Sequence, residues 1–358
     1  MCGIAGFVND MPIDVKCPVL QRMTDMIAHR GPDSEGHYID EHAALGHRRL
    51  SIIDLGGGQQ PIYNEDGSKV ITFNGEIYNY QTLREELIAA GHTFTTKSDT
   101  EVLLHGYEQW GVDLLQRVRG MFTFVIWDKN KQELFGARDH FGIKPFYYAK
   151  MNGTFMYASE IKSLLRHPDF VKELNAEALK PYMTFQYPAI GETFFKGVYK
   201  LPEGHYFTYR DGKMDIHRYY DEDFREGKQK LGELVNSIDQ TVCDSVKAHQ
   251  IADVEVGSFL SSGVDSSYVA AVARPQHTYS IGFGKGTYNE SQQAGELAEL
   301  LKLNNTAESL TDEEAFAAFP RIQWHLDEPD SNPSCVPLYF LSALAAKDVK
   351  VVLSGEGA

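Results

Sequence analysis

Hydrophobic and polar positions along the 358-residue chain fall into two rhythms. Up to about residue 205, short runs rich in Val, Ile, Phe and Tyr follow one another, bounded by Gly, Asp or Asn. Residues 3–8, 43–46, 70–73, 121–127, 133–138 and 146–148 have this form and are predicted as strands. Helices interrupt them. Leu20, Met23 and Ile27 fall at helical spacing, and residues 80–90 place Leu83 and Leu87 one turn apart behind Asn79 as cap. Ser98 with Glu101 three residues on reads as a capping box opening a helix through Leu104 and Tyr107. Strand runs mixed with a few helices predict an α+β core of stacked layers.

Residues 181–230 are richer in Pro, Gly and charge and read as the last strands of this region plus a linker. Beyond them the rhythm changes. Leu231, Val235, Ile238, Val242 and Val246 mark a long amphipathic helix. Then come a strand at 254–260, a helix at 264–273, a strand at 278–283 and a helix at 290–301. A helix from Asp312 is capped by Thr311 and Glu314, another covers 336–346, and a strand at 349–353 follows. Strand–helix alternation predicts a parallel, doubly wound sheet whose ligands sit at the carboxyl ends of the strands. The expected division is 1–210 and 211–358.

Composition narrows the class. Fifty acidic residues against 34 basic give a formal charge of −16, which argues against a sequence-independent grip on nucleic acid or an anionic membrane. Hydrophobic residues at 42% suffice for two cores, and no apolar run approaches the roughly 20 residues of a membrane helix. Cys2, Cys17, Cys243 and Cys335 show no metal-ribbon or disulfide spacing, so a reducing, cytoplasmic compartment is expected.

The chemistry starts at Cys2. A residue this small at position 2 normally allows removal of the initiator Met, leaving Cys2 a free α-amine. Such an amine titrates near 7.7–8.0 and can act as base for the residue's own thiol. Three further segments gather polar groups: His29-Arg30-Gly31-Pro32-Asp33, Gly46-His47-Arg48-Arg49, and Asn74-Gly75 read as a turn after a strand. Each alone is also an ordinary turn or cap. Together with Ser98-Asp99 they supply a nucleophile, oxyanion donors and charges for an amino-acid substrate. In the second region, Ser261-Ser262-Gly263-Val264-Asp265-Ser266-Ser267 lies between a strand and a helix start, where backbone N–H groups can meet phosphate oxygens. It matches neither GxxxxGK[ST] nor GxGxxG.

The motifs MCGIAGF, HRGPD, HRRLSIIDL, FNGEIYN, SDTE, RGMFTF and RDHFGIKPFYY resemble the class II glutamine amidotransferase domain of glutamine-hydrolysing asparagine synthetases. The resemblance implies an amino-terminal nucleophile (Ntn) hydrolase fold, a four-layer αββα sandwich. It makes Cys2 the nucleophile on the glutamine amide, with Asn74 and Gly75 stabilising the oxyanion. Arg49 would pair with the α-carboxylate, Glu76 and Asp99 with the α-ammonium, and the backbone of Leu50, Ser51, Ile52 and Ile53 would line the pocket. SSGVDSS resembles the pyrophosphate loop of ATP-pyrophosphatase domains, with Ser262 where glycine is common, and SGEGA resembles their nucleotide turn. By that resemblance Leu260, Ser261, Ser262, Gly263, Asp265, Ser266, Ile281, Ser354 and Gly355 contact ATP, Asp265 holds Mg²⁺, and Glu356 lies near the reaction centre. Glutamine, aspartate and MgATP are the expected partners, with no tightly bound organic cofactor and a homodimer as the family's assembly.

The implied reaction joins the two regions: ammonia freed at Cys2 meets a β-aspartyl-AMP, giving asparagine, AMP and pyrophosphate. Amidation of another carboxylate on the same scaffold, and a silent regulatory paralogue, stay open as alternatives. A glutaminase joined to a sugar isomerase or phosphoribosyltransferase fits the second region poorly, and the intact Cys2 argues against the β-lactam-forming branch. The family continues past the SGEG turn, so a truncated chain with an unfinished synthetase site is expected.

Overall fold

The computed structural model describes residues 1–284 and 291–356, in two compact units, Met1–Asp223 and Phe224–Ala358. In chain order the first unit contains β1 (Gly3–Val8), α1 (Ile13–Asp25), β2 (Ser34–Ile39), β3 (Ala43–Arg49), β4 (Ile62–Tyr63), β5 (Lys69–Ile77), α2 (Tyr80–Ala89), α3 (Asp99–Trp110) and β6 (Gly120–Asp128). It continues with β7 (Glu133–Arg138), β8 (Tyr147–Met151), β9 (Thr154–Ala158), α4 (Ile161–Leu164), α5 (Leu179–Phe185), β10 (Val198–Lys200), β11 (His205–Arg210) and β12 (Lys213–Arg218).

Two six-stranded sheets result, ordered β10-β8-β9-β1-β3-β2 and β12-β11-β7-β6-β5-β4, with every paired strand antiparallel. Between them lies an aromatic core of Ile4, Leu45, Val125, Trp127, Phe146, Phe155, Tyr157 and Phe207. The outer face of the first sheet buries Ala5 and Phe7 against Leu20 and Met23 of α1 and Leu164 of α4. α3 covers β5 of the second sheet. This is the αββα sandwich expected. β1 is apolar at every position because both its faces are covered. Gly6 has to be glycine: a Cβ there would stand 2.5 Å from both the Ala44 carbonyl oxygen and Tyr157 Oη.

Local details differ from the sequence reading. Asn74 and Gly75 are not a turn; they lie inside β5, opposite Thr123 and Phe122 of β6. Pairing along the whole nine-residue strand overrides the local Asn-Gly turn preference. Asn79 precedes α2 without capping it, its side chain bridging Arg117 O and Arg119 N instead. Ser98 caps α3, accepting from Thr100 N, but Glu101 does not close the box. Its carboxylate accepts from the backbone and hydroxyls of Thr95 and Thr96, at 2.6–3.0 Å.

The second unit contains α6 (Leu231–His249), β13 (Val256–Phe259), α7 (Val264–Ala273), β14 (His277–Phe283), α8 (Ser291–Leu301), β15 (Asn304–Leu310), α9 (Asp312–Leu326), α10 (Cys335–Ala345) and β16 (Val351–Leu353). The expected helix start at Glu290 lies outside the described residues. Its four strands are all parallel, ordered β15-β14-β13-β16. Leu260 packs with α7 and α8 on one face, and Tyr279 with Leu344 and Ala345 of α10 on the other, which makes the sheet doubly wound. Thr311 and Glu314 form the reciprocal cap of α9 as predicted. Strand order reverses at β13, whose neighbours are β14 and β16, the kind of point at which doubly wound sheets take ligands outside the strands' carboxyl ends.

Candidate functional sites

The first site forms where the two sheets of the first unit meet α3. Its cleft is lined by Cys2 ahead of β1, by Arg49, Leu50, Ile52 and Ile53 at the end of β3, by Gly75 and Glu76 of β5, and by Asp99 opening α3. About 30 Å³ of free space is enclosed there. Cys2 is held at both ends. Its carbonyl accepts from Arg30 Nε at 2.9 Å, and its Sγ accepts from Leu50 N at 3.4 Å. Arg30 is fixed in turn by Glu160 (3.0 Å), which also meets His29 at 3.0 Å and Lys162 at 2.5 Å. Burial alone would raise the Glu160 carboxyl, but His29, Arg30 and Lys162 bring it down to about 2.

Around the thiol, burial pushes ionisable groups toward their neutral forms. It raises Cys2 despite the Leu50 N–H, and it lowers the α-amine of Met1 to about 6 and Lys144 to about 8. Glu76 is raised well above the usual carboxylate range by burial and by Asp99 beside it. Asp99 is raised to about 6 by burial, although its Oδ2 accepts from Ile77 N at 3.0 Å. Two carboxylates thus share one cleft, a geometry that favours a cation between them.

Asn74 is 1% exposed, and its Nδ2 has no hydrogen-bond partner in the structure. Arg49 is buried, with its guanidinium on the carbonyls of Ile53, Asp54 and Leu55. Ser51 gives its N–H to Asp33 at 2.8 Å and, like Asn74, stands outside the cleft lining. Gly75 has no room for a side chain, since a Cβ would lie 2.2 Å from Met121 O. Sequence reasoning missed Gly58, Gln60 and Phe73 in the lining, and Lys144 beside Met1, where its Nζ lies 3.0 Å from the Met1 Sδ. Only the Gly56-Gly57-Gly58 run carried a local signal, that of close backbone approach.

The second site lies at the strand-order reversal. Gly263 precedes α7 without a side-chain cap, and Ser262, Gly263, Val264 and Asp265 are exposed. The loop is shaped by its own serines: Ser266 Oγ accepts from Ser261 N at 3.1 Å and meets Ser261 Oγ at 2.8 Å, while Gly263 N donates to Ser261 Oγ at 3.1 Å. The turn after β16 packs on this loop, for a Cβ on Gly355 would stand 2.4 Å from Ser266 N. The structure therefore brings Ser261–Ser266 together with Ser354 and Gly355. Glu356 is exposed, its N–H on Ser354 Oγ at 3.1 Å, and Gly357 and Ala358 of the same motif lie outside the described residues. The Leu260 and Ile281 side chains belong to different apolar clusters, with Leu260 packed on Ala270 and Ile281 against Tyr279. Asp265 and the serine hydroxyls offer oxygen donors alone, the set that suits Mg²⁺.

Family comparison places both units. Residues 1–220 match the glutamine amidotransferase domain model and residues 237–358 the asparagine synthase model. Asparagine synthetase (glutamine-hydrolysing) 1 of Bacillus subtilis is 44% identical across the whole chain, which spans 58% of that protein. A Methanocaldococcus jannaschii protein with the provisional name asparagine synthetase (glutamine-hydrolysing) 2 is 33% identical, and this chain spans 74% of it. A similarly named Mycobacterium tuberculosis protein is 38% identical, with 59% of its length spanned.

Proposed function

The chain belongs to the glutamine-hydrolysing asparagine synthetase family, and from that premise we propose that its first unit releases ammonia from glutamine while its second serves the ATP-dependent amidation of aspartate. The observation that carries the glutaminase reading is the cleft itself: a half-buried thiol in one cleft with two carboxylates, Glu76 and Asp99. The α-ammonium of glutamine supplies their cation, and Arg49 meets the α-carboxylate through its planar fork. With the amino acid held at both charges, its side-chain amide reaches Cys2.

After removal of Met1, the α-amine of Cys2 stands where burial lowers the Met1 amine to about 6, an environment that favours the free base. It takes the thiol proton, and Sγ attacks the amide carbon. Asn74 Nδ2 and the backbone at Gly75 receive the oxyanion. The proton passes to the leaving nitrogen, ammonia departs, and water hydrolyses the γ-glutamyl thioester to glutamate, restoring the thiol. In the second unit the loop Ser261–Ser266 and the turn at Ser354 and Gly355 hold the ATP phosphates at the start of α7, and Ile281 borders the adenine. Asp265 would hold the Mg²⁺ of MgATP, which would offset phosphate charge; the aspartate β-carboxylate attacks the α-phosphorus and pyrophosphate leaves. Ammonia then displaces AMP, next to Glu356. A reducing cytoplasm and a homodimer complete this reading.

The test is glutamate release by the chain and by Cys2→Ala. We expect the variant to fall to background while keeping the wild-type melting temperature. Equal rates from both proteins would remove Cys2 from the mechanism.

A further inference from the structure

A second cluster of titratable groups lies on the same unit, outside the glutamine cleft. Glu65 in the β4–β5 connection, His92 before the 93–98 loop, and His105 and Glu108 of α3 each turn one ligand-type atom inward, all within 4.8 Å of one another. His92 Nδ1 lies 3.3 Å from Glu65 Oε1, and His105 Nδ1 lies 3.4 Å from Glu65 Oε2 and 3.2 Å from Glu108 Oε2. Bonds of about 2.0–2.1 Å to a tetrahedral ion put neighbouring donors roughly 3.3–3.4 Å apart, close to the His105–Glu108 spacing and to that from each imidazole to one Glu65 oxygen.

Neighbouring groups touch several atoms of the cluster. Glu108 Oε1 accepts from Asn64 Nδ2 at 2.7 Å, and Glu65 Oε1 also accepts from Thr93 N at 3.1 Å. His92 Nε2 stands 3.2 Å from Gln109 Oε1, and His105 Nε2 faces the buried Glu101 carboxylate at 3.5 Å. His92 therefore has an acceptor behind Nε2 and turns Nδ1 inward, the arrangement that orients a metal-ligating imidazole; His105 also turns Nδ1 inward, while its Nε2 makes no hydrogen bond. Glu65 also borders an open cleft of about 580 Å³, which gives an ion its way in.

We propose that Glu65, His92, His105 and Glu108 form a site for a zinc-class divalent transition ion. Two imidazoles and two carboxylates favour Zn²⁺ or Co²⁺ over Mg²⁺, which prefers an all-oxygen shell. Nothing in the amidotransferase reading requires this site.

The test uses the full chain carrying Cys2→Ala, so that the catalytic thiol cannot hold the metal. Zn²⁺ is titrated in competition with a chromophoric chelator, and Co²⁺ is followed by its visible absorption. We expect one equivalent bound at about 1 µM or tighter. The Co²⁺ complex should show tetrahedral d–d bands and no thiolate charge-transfer band. His92→Ala and Glu65→Gln change accessible positions and should weaken binding by more than the roughly 10–100-fold typical of outer-shell losses. Binding unchanged in both variants, a thiolate band, or no binding at all would overturn the proposal.

Discussion

Asn74→Ala separates catalytic from structural roles more sharply than any other change in the glutamine cleft. The wild-type amide is buried with Nδ2 unpaired, and an unsatisfied buried donor costs the folded state about 1–3 kcal/mol. Truncation removes that cost together with a few buried atoms, so the two effects nearly cancel and the melting temperature should hold or rise. On the proposed oxyanion role, the transition state would lose a donor worth about 2.7–4 kcal/mol, a factor of about 10²–10³ in kcat. KM should change little, because the ground-state amide oxygen needs this donor less than the oxyanion does. Glutamate release coupled to glutamate dehydrogenase measures the rate, and thermal melting monitors the fold. A kcat within fivefold of wild type, or a drop in melting temperature that accounts for lost activity, would refute the oxyanion role of Asn74.

Glu160→Gln should destabilise the first unit by about 3–5 kcal/mol, because Arg30 and Lys162 lose a buried partner. The native carboxyl lies below its unfolded value, so its stabilisation is full above about pH 4.5 and is lost as pH falls toward 2. Denaturant melts should show that acid-side slope in wild type and its flattening in the variant. Gly355→Ala places a Cβ 2.4 Å from Ser266 N, backbone against backbone, and should weaken ATP-analogue binding by about tenfold or more while leaving glutamate release intact.

The apolar period was enough to locate β1, β7 and α7 at their observed bounds and to place Cys2 at the head of a buried strand. What escaped was decided by partners distant in sequence. β15 went unread because Asn304–Leu310 is a sheet-edge strand buried only at Leu310, so no alternation of apolar residues marks it. Asn74-Gly75 carries the strongest local turn signal, yet β6 extends β5 straight through it. Glu101 stood at the capping-box position but turns instead to Thr95 and Thr96, an exchange settled by the path of the loop before α3. Gln60 reaches the cleft because its side chain bonds both Phe73 N and Phe73 O, a pairing across 13 residues with no signature in composition. Motif residues were legible; the groups that hold them were not.

The electrostatics of the cleft make a further demand on glutamine binding. Asp99 has a folded value near 6 against an ordinary 3.8, so the folded state takes up protons more readily than the unfolded chain between those values. Stability contributed through this group therefore falls as pH rises across that window, by about 3 kcal/mol at roughly 1.4 kcal/mol per unit. Above pH 6 Asp99 is ionised in the ligand-free cleft, and on the proposed reading the α-ammonium of glutamine would offset its charge. Below pH 6 Asp99 is already protonated and the ammonium gains less. In the Cys2→Ala protein, which binds without turnover, the rise in melting temperature at fixed glutamine should be greater at pH 8 than at pH 5.5. Binding near pH 6 should release protons measurable by calorimetry in buffers of different ionisation enthalpy. Asp99→Asn should reduce both effects and raise the ligand-free melting temperature at pH 8. A glutamine-induced shift independent of pH in the Cys2→Ala protein would mean that the ammonium is held elsewhere, and that the paired carboxylates serve the fold rather than the substrate.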